Sequence, residues 1–561
     1  MGFTRGNSHG ASIALAMALT AGSAHAQLAR PPSPAVGNPA DTLPAARPTP
    51  ALAPGIDVQI QRPTPALQQQ LNTRLTPTRF RIEGVQSLPF DKVAAQFAPM
   101  AGREVTIGDL IKQAAAVTQM YQDAGYPLSF AFVPAQNFDQ GIVLITVVEG
   151  YVDKVTVNGN AGRSEDKIRE IAAVLQRSKP LRRDDFERYT RVLGLLPGMS
   201  VAATVHPPRA TDGASEMVLE VKRKPYSFNV AAEFRDPGVR AIATATVQGL
   251  TPLAEQVTAS ALFPRGPDKE SYYALSVAQP IGTEGMKLQV NASAFKGSPR
   301  SPWLQSIGFE ERYRTETQRV GAALSYPVLL NNQQDLTLTG GVYGTNTFER
   351  FTQRGTGARA EITTDSRVVH AEASYNENRE KLSRSVTLGL YKGVDALGAR
   401  KQNSGAELEF FRTRLTVTQA HALPPDFGIV LSGAVQYSRD PLPSSEQMSF
   451  GGRFFGMGYR AGDIAGDKGW GLSIEINKRI PLPYTYVRMV QPYVLADTAR
   501  AYINGPGGFS TRIASVGVGV RISDSKHYQL DLGVAQPVGD LPSVTSKRSP
   551  RLNAAYAYNF E

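Results

Sequence analysis

The segment Lys287–Ala294 reads KLQVNASA, and its side chains alternate without a break. Leu288, Val290, Ala292 and Ala294 fall on one side of an extended chain, and Lys287, Gln289, Asn291 and Ser293 on the other. The period recurs. In Trp470–Ile480, Leu472, Ile474 and Ile476 alternate with Ser473, Glu475 and Asn477. In His527–Val534, Tyr528, Leu530, Leu532 and Val534 alternate with His527, Gln529, Asp531 and Gly533. From Tyr226 onward, segments of about ten residues with this pattern are separated by turn residues. That is the signature of an outer-membrane β-barrel, with lipid on one face and a polar lumen on the other. About sixteen antiparallel strands are expected, the even number such barrels favour. A soluble sandwich with one wet face shows the same alternation; the number of segments and the character of both chain ends favour the barrel.

Composition agrees. The chain has 561 residues, 42% of them hydrophobic, and a mean hydropathy of −0.23. A bundle of membrane helices needs several apolar runs of about 20 residues, which this composition excludes. With no cysteine, a disulfide, a thiolate metal site and a cysteine nucleophile are all unavailable. The net charge of +11 is spread along the chain, so nucleic acid is not an expected partner. No catalytic spacing stands out, His206 is alone, and neither an enzyme, a metal nor a cofactor is expected.

Residues 1–26 read as a signal peptide, with Arg5 ahead of the apolar run Ser12–Leu19 and an A-x-A site at Ala24-His25-Ala26. Residues 27–76 read as a Pro-rich linker with one short helix near 66–75, where Leu67, Leu71 and Leu75 share a face. Two small α/β modules follow, at 77–150 and 151–224, each in the order βααββ, and the barrel takes 225–561. A sheet edge of this kind can accept an extended peptide through backbone hydrogen bonds that ignore sequence.

The stretch Gly125–Gly159 reads GYPLSFAFVPAQNFDQGIVLITVVEGYVDKVTVNG. It resembles the first POTRA domain of the outer-membrane transporters of two-partner secretion, the TpsB class of haemolysin and adhesin secretion-activation proteins. The matching residues are Tyr121, Gly125, Tyr126, Pro134, Gln136, Gly141, Glu149 and Gly150. Leu195-Leu196-Pro197-Gly198 resembles a turn of a second POTRA domain, and the last strand, with Tyr556, Tyr558 and Phe560 on one face, resembles the signal read by barrel-assembly machinery. The resemblance implies a barrel in bacterial outer-membrane lipid, with POTRA domains in the periplasm. It implies export of a large, unfolded, TpsA-like exoprotein, captured by β-augmentation and moved without ATP. A factor that assembles other barrels and a passive channel are the competing readings. The first usually carries more POTRA modules, and the second needs none.

The segment Phe450–Trp470, FGGRFFGMGYRAGDIAGDKGW, lies between the eleventh and twelfth expected strands. If the POTRA modules are periplasmic, strand parity makes it the sixth outside loop. Parity also puts short connections such as Pro280–Gly285 in the periplasm and long ones near 296–317, 347–366 and 439–469 outside. The resemblance implies that this loop folds into the lumen with its tip at Phe454, Phe455, Gly456, Met457, Gly458, Tyr459 and Arg460. In the family the tip reads V-R-G-Y, and its arginine pairs with an aspartate on the thirteenth strand. Here Met457 holds the arginine's place while Asp497 is present. A buried Asp497 needs compensation, so Arg460, or else Arg453, is expected to pair with it. The helix near 66–75 is expected to be a second plug.

Overall fold

The computed structural model describes residues 71–561 apart from 209–210, 236–237, 265–267, 301–303, 305–307, 453–454, 506–509, 543–546 and 561. In the first module, Ile142–Val148 is the middle strand of a sheet, with Arg79–Glu83 parallel on one side and Phe130–Phe132 antiparallel on the other. Helices Phe90–Phe97 and Ile107–Asp123 supply Phe97, Leu110, Val117 and Tyr121 to a core shared with Val143 and Ile145. The longer helix starts on a capping box. Thr106 Oγ1 accepts from Asp109 N at 3.1 Å, and Asp109 accepts from Thr106 N at 2.9 Å. It stops before Gly125, which takes φ +90°.

The helix expected near 66–75 does not run that far. Arg74–Leu75 is instead a strand paired with Val105–Thr106, and Thr73 O accepts from Ile107 N at 3.0 Å. Leu75 packs on the core of the first module. Leu71 keeps a helical backbone and ends beside Gly108, where a Cβ would lie 3.3 Å from Leu71 O. A short polar helix has little stability of its own, so docking on a formed core decides the backbone here. Leu71 and Leu75 thus belong to the first module and not to a lumen plug. Leu67, the rest of the linker and the signal peptide lie outside the described residues.

The second module repeats the plan. Ala214–Arg223 lies between Tyr151–Gly159 and Met199–Val205, and helices Glu165–Leu175 and Arg183–Gly194 pack on the sheet. Its core continues into Ala254 and Leu330 at one end of the barrel. Tyr189 donates to Glu284 Oε1 at 2.6 Å, and Arg188 reaches Glu284 Oε2 at 3.3 Å and Pro327 O at 3.2 Å. Burial and the Glu284 bond push the Tyr189 hydroxyl up to about 12. Glu284→Ala removes the acceptor both residues share and should weaken this docking by about 1–3 kcal/mol. Limited proteolysis of the full chain in detergent checks it, as faster cutting at the Lys224–Tyr226 junction.

Sixteen long strands close the barrel, from Tyr226–Arg235 to Arg551–Phe560. The last pairs back onto the first, from Ala554↔Phe234 to Phe560↔Phe228. Two short strands, Arg400–Gln402 and Ile480–Pro481, sit in connections. The faces fall as the alternation requires. Leu472 and Ile474 are 56% and 44% exposed on the outer surface, whereas Glu475 and Asn477 are 7% and 3% exposed inside. Tyr528, Tyr556, Tyr558 and Phe560 form an aromatic ladder, with successive centroids 6.1, 6.4 and 4.6 Å apart.

The second module touches the turns that follow even-numbered strands, at 249–255, 282–285 and 331–333. Those turns are short, and the connections 298–313, 394–410 and 439–467 at the other end are long. The expected loop near 347–366 is mostly strand. Gln334–Thr352 and Arg359–Arg379 stay paired out to Thr352↔Arg359, because cross-strand pairing continues past the lipid-facing belt as a projecting hairpin.

Candidate functional site

Residues 439–467 leave the eleventh strand, Phe427–Ser438, and turn inward before the twelfth, Lys468–Lys478. Met448–Phe450 pairs with Ile464–Gly466 as a small hairpin. Gly451 at φ +111° allows the turn that follows, and a Cβ there would lie 2.0 Å from Arg460 O. Phe450, Phe455, Tyr459 and Ile464 bury themselves against Ala499, Ala501 and Ile513 of the inner wall. Gly458 presses its backbone on the fifteenth strand, Tyr528–Pro537, where a Cβ would come within 2.8 Å of Pro537 N.

Asp497, on the thirteenth strand Met489–Tyr502, is 6% exposed and meets the loop tip. Its Oδ2 accepts from the Met457 backbone N–H at 2.9 Å. Its Oδ1 accepts from Ser515 N at 3.1 Å and from Ser515 Oγ at 2.5 Å. Gly458 N donates to Ser515 Oγ at 3.1 Å, and Asn553 Nδ2 donates to Met457 O at 3.2 Å. A backbone amide thus occupies the place expected for a guanidinium. The Met457 side chain lies over Gly517 and Gly533 beside Tyr493, and a Cβ at Gly533 would stand 2.6 Å from Met457 Cε.

The ion pair expected between Arg460 and Asp497 does not form. Among the described residues no arginine lies within ion-pair distance of Asp497. Arg460 reaches Asp268 Oδ2 at 3.4 Å, in the outer connection after the third strand, Gln256–Phe263. Tyr459 is tied to the connection after the fifteenth strand, donating to Asp540 O at 2.8 Å and accepting from Gly539 N at 3.2 Å. Arg453 and Phe454 lie outside the described residues.

A second anchor sits at the base of the loop, on a residue the sequence did not single out. Glu446 is 0% exposed. Its Oε2 accepts from Arg412 at 2.8 Å and from the Tyr343 hydroxyl at 2.8 Å. Arg412 also donates to Gln436 Oε1 at 3.1 Å and stacks over Tyr391, 3.8 Å from the ring centroid. Gln436 Nε2 returns a bond to Glu446 O at 3.0 Å. The available signal was Arg412 itself: alternation in Phe411–Leu423 puts it on the lumen side, where a buried cation requires an anion.

The POTRA domain model of ShlB type matches residues 75–150, and the haemolysin secretion/activation protein model ShlB/FhaC/HecB matches 252–522. Together these span more than half of the chain. It belongs to the TpsB class of two-partner-secretion transporters. The heme/hemopexin transporter protein HuxB of Haemophilus influenzae is 20% identical over 500 residues, covering 85% of each chain. CdiB from Escherichia coli shares the fold at a TM-score of 0.65 and 17% identity, over 89% of this chain and 93% of its own. BamA from Haemophilus ducreyi, lacking POTRA domains 1-3, shares it at 0.51 and 16%, over 87% and 100%. The TpsB transporter sits in the outer membrane with its POTRA domains in the periplasm, and its partner is a secreted exoprotein.

In this transporter the POTRA motif residues are staples of the first domain. Gln136 acts as one residue of an extra strand: its amide donates to Leu144 O at 2.8 Å and accepts from Leu144 N at 2.7 Å, and it also reaches Pro134 O at 3.3 Å. Tyr126 packs edge-on against Tyr121 with centroids 6.1 Å apart. Gly141 takes φ +67°, and Gly150 passes so close to Leu128 that a Cβ would fall 2.5 Å from its carbonyl oxygen. Glu149 binds Gln86, Ser87 and Tyr121.

Proposed function

We propose that the unfolded exoprotein adds as a strand to exposed POTRA sheet edges and then passes through the lumen as an extended chain. Folding outside the cell, rather than ATP, supplies the direction. The observation that carries this reading is a closed barrel with its own loop folded against the inner wall of its polar lumen, held through hydrogen bonds and ion pairs that can be exchanged. Sixteen strands enclose a lumen wide enough for water once that loop moves. Tyr151–Gly159 is an edge strand of nine residues, long enough for backbone pairing to hold a peptide without reading its sequence. Tyr556, Tyr558 and Phe560 are assigned to the lipid boundary and to recognition by barrel-assembly machinery.

The test is reconstitution. Proteoliposomes holding the full chain, with no nucleotide present, should take its urea-unfolded partner exoprotein into a protease-protected lumen. A requirement for ATP, or equal uptake by liposomes with a porin in its place, would end the proposal.

A further inference from the structure

We propose that the outer wall of strands twelve to fifteen carries a binding site for a phosphorylated, multiply acylated glycolipid of the outer leaflet. Its phosphate meets Arg500 and Arg512, and an acyl chain lies in a groove over Ala496.

The two arginines face each other without an acid between them. The fourteenth strand is Ser510–Ser523, and its register sets Arg512 directly opposite Arg500 at the outer end of the thirteenth. Both are exposed and share the lipid-facing side with Val494 and Val516. Like charges directly opposite across a strand pair repel. On other outer strand ends a carboxylate relieves the charge: Lys296 and Arg314 pair with Glu316, Arg350 with Glu361 and Arg400 with Asp365. Among the described residues no carboxylate lies within ion-pair distance of Arg500 or Arg512. Arg500 donates to Ser510 Oγ at 2.9 Å and sits 5.1 Å from the Tyr502 ring centroid. Asp540 is the sole acid in the flanking outer connections, 503–509 and 538–550, and its Oδ2 accepts from the Arg512 backbone N–H at 2.8 Å. Arg548 adds a third cation. Its Nε and Nη2 donate to Gly539 O at 3.1 and 2.8 Å, beside the Asp540 amide that donates to Arg512 O.

Trp470 stands in the same cross-strand row, opposite Arg500 on the twelfth strand. Tryptophan favours the headgroup level of a membrane protein, so the guanidinium pair lies where lipid phosphates are. Toward the midplane, Ala496 pairs with Ile474 on one side and Val516 on the other. Its short side chain leaves room for a groove of about 580 Å³, walled by Ile474, Ile476, Val494, Val516 and Val534. Gln536 and Pro550 mark its outer end, and the Gln536 amide donates to the Arg548 carbonyl. Four residues of strand, about 13 Å, separate Ala496 from Arg500. A lipid with its phosphate on the arginines therefore lays the middle of an acyl chain along Ala496. Guanidinium groups suit phosphate because their forked donors match its oxygens. A free phosphate would use the arginines and leave the groove bare, so charge and groove together fit the lipid.

The probe is bis-phosphorylated, hexa-acylated lipid A. The full chain, purified in detergent and stripped of bound lipid, is titrated with it, and native mass spectrometry counts the barrels that retain one lipid. Arg500→Gln combined with Arg512→Gln should raise the lipid concentration for half-retention by about tenfold or more. Ala496→Phe, which fills the groove and keeps both arginines, should raise it by about threefold or more. Arg350→Gln combined with Arg400→Gln removes the same charge from paired sites and should change it by less than about twofold. Lipid A stripped of its phosphates should bind the native chain as weakly as the Arg500 and Arg512 double variant binds the intact lipid. The barrel of each variant is checked by its heat-modifiable gel mobility. Unchanged retention in that double variant, or an equal loss in the Arg350 and Arg400 control, overturns the site. Displacement by excess inorganic phosphate, with no effect of Ala496→Phe, assigns the arginines to a free anion and overturns the lipid. No exoprotein takes part, so the outcome stands apart from the transport proposal.

Discussion

Arg412→Ala is expected to destabilise the base of the pore loop by about 3–5 kcal/mol, because it leaves Glu446 as a buried, uncompensated charge. Three features make this effect large. The pair is shielded from solvent on both sides, at 1% and 0% exposure. It is part of a network, since Glu446 Oε2 also takes the Tyr343 hydroxyl and Arg412 is bonded to Gln436. Arg412 further loses its stack on Tyr391, worth roughly 1–2 kcal/mol when desolvated. Hydrogen exchange at Glu446–Phe450 should accelerate by on the order of a hundredfold or more, while the paired amides of the ninth and tenth strands stay protected. A double replacement, Arg412→Met with Glu446→Leu, removes both charges and should recover most of the loss. If Arg412→Ala shifts loop exchange less than about fivefold, roughly 1 kcal/mol, the base anchor is not what fixes the loop.

The barrel was legible because its information is local. An alternation such as that of Leu288, Val290, Ala292 and Ala294 needs no distant partner to declare its lipid face, and turn residues mark where each segment ends. Loop parity followed from the strand count, and the second module docks on the turns that parity assigned to the periplasm. The loop contacts were not legible, for the same reason in reverse. Glu446 sits in a short polar run, and its partners Arg412 and Tyr343 are 34 and 103 residues away. Arg460 finds Asp268 at a separation of 192 residues, a pairing that depends on how a closed barrel brings outer connections together. Asp497 invited a cationic partner because a buried carboxylate needs compensation. The Met457 amide and Ser515 meet that need with dipoles, which no side-chain pattern announces. Leu75 misled for another reason: a spacing of four fits a helix, but a neighbouring core was available to pair with and the strand won.

Glu149→Ala should cost the first POTRA domain about 2–4 kcal/mol, enough to unfold a large share of a module this small. Its carboxylate accepts from Gln86 N at 2.8 Å, Ser87 N at 2.7 Å, Ser87 Oγ at 2.7 Å and the Tyr121 hydroxyl at 2.8 Å. One side chain therefore ties the segment entering the first helix, and the last turn of the second helix, to the end of the central strand. Burial alone would favour the protonated acid, but the bonds from Ser87, Gln86 and Tyr121 outweigh it and hold the carboxyl below its ordinary range. Burial and the same Glu149 bond push the Tyr121 hydroxyl well up. The pH dependence has a definite sign. A carboxyl with a lowered folded pKa contributes its full stability above the unfolded value of about 4.3, and loses it as pH falls through the folded value. Exchange protection of Ile142–Val148 in the full chain should therefore be flat from about pH 7 to 5 and fall below about pH 4. Glu149→Gln, which keeps the shape and one acceptor but has no proton to gain, should start lower and lose that part of the acid dependence. Tyr121→Phe separates the contributions: it removes one donor, costs about 1–2 kcal/mol, and leaves the acid limb in place because Ser87 and Gln86 still stabilise the anion. An acid limb as steep in Glu149→Gln as in the native chain would assign the pH sensitivity to some other carboxylate.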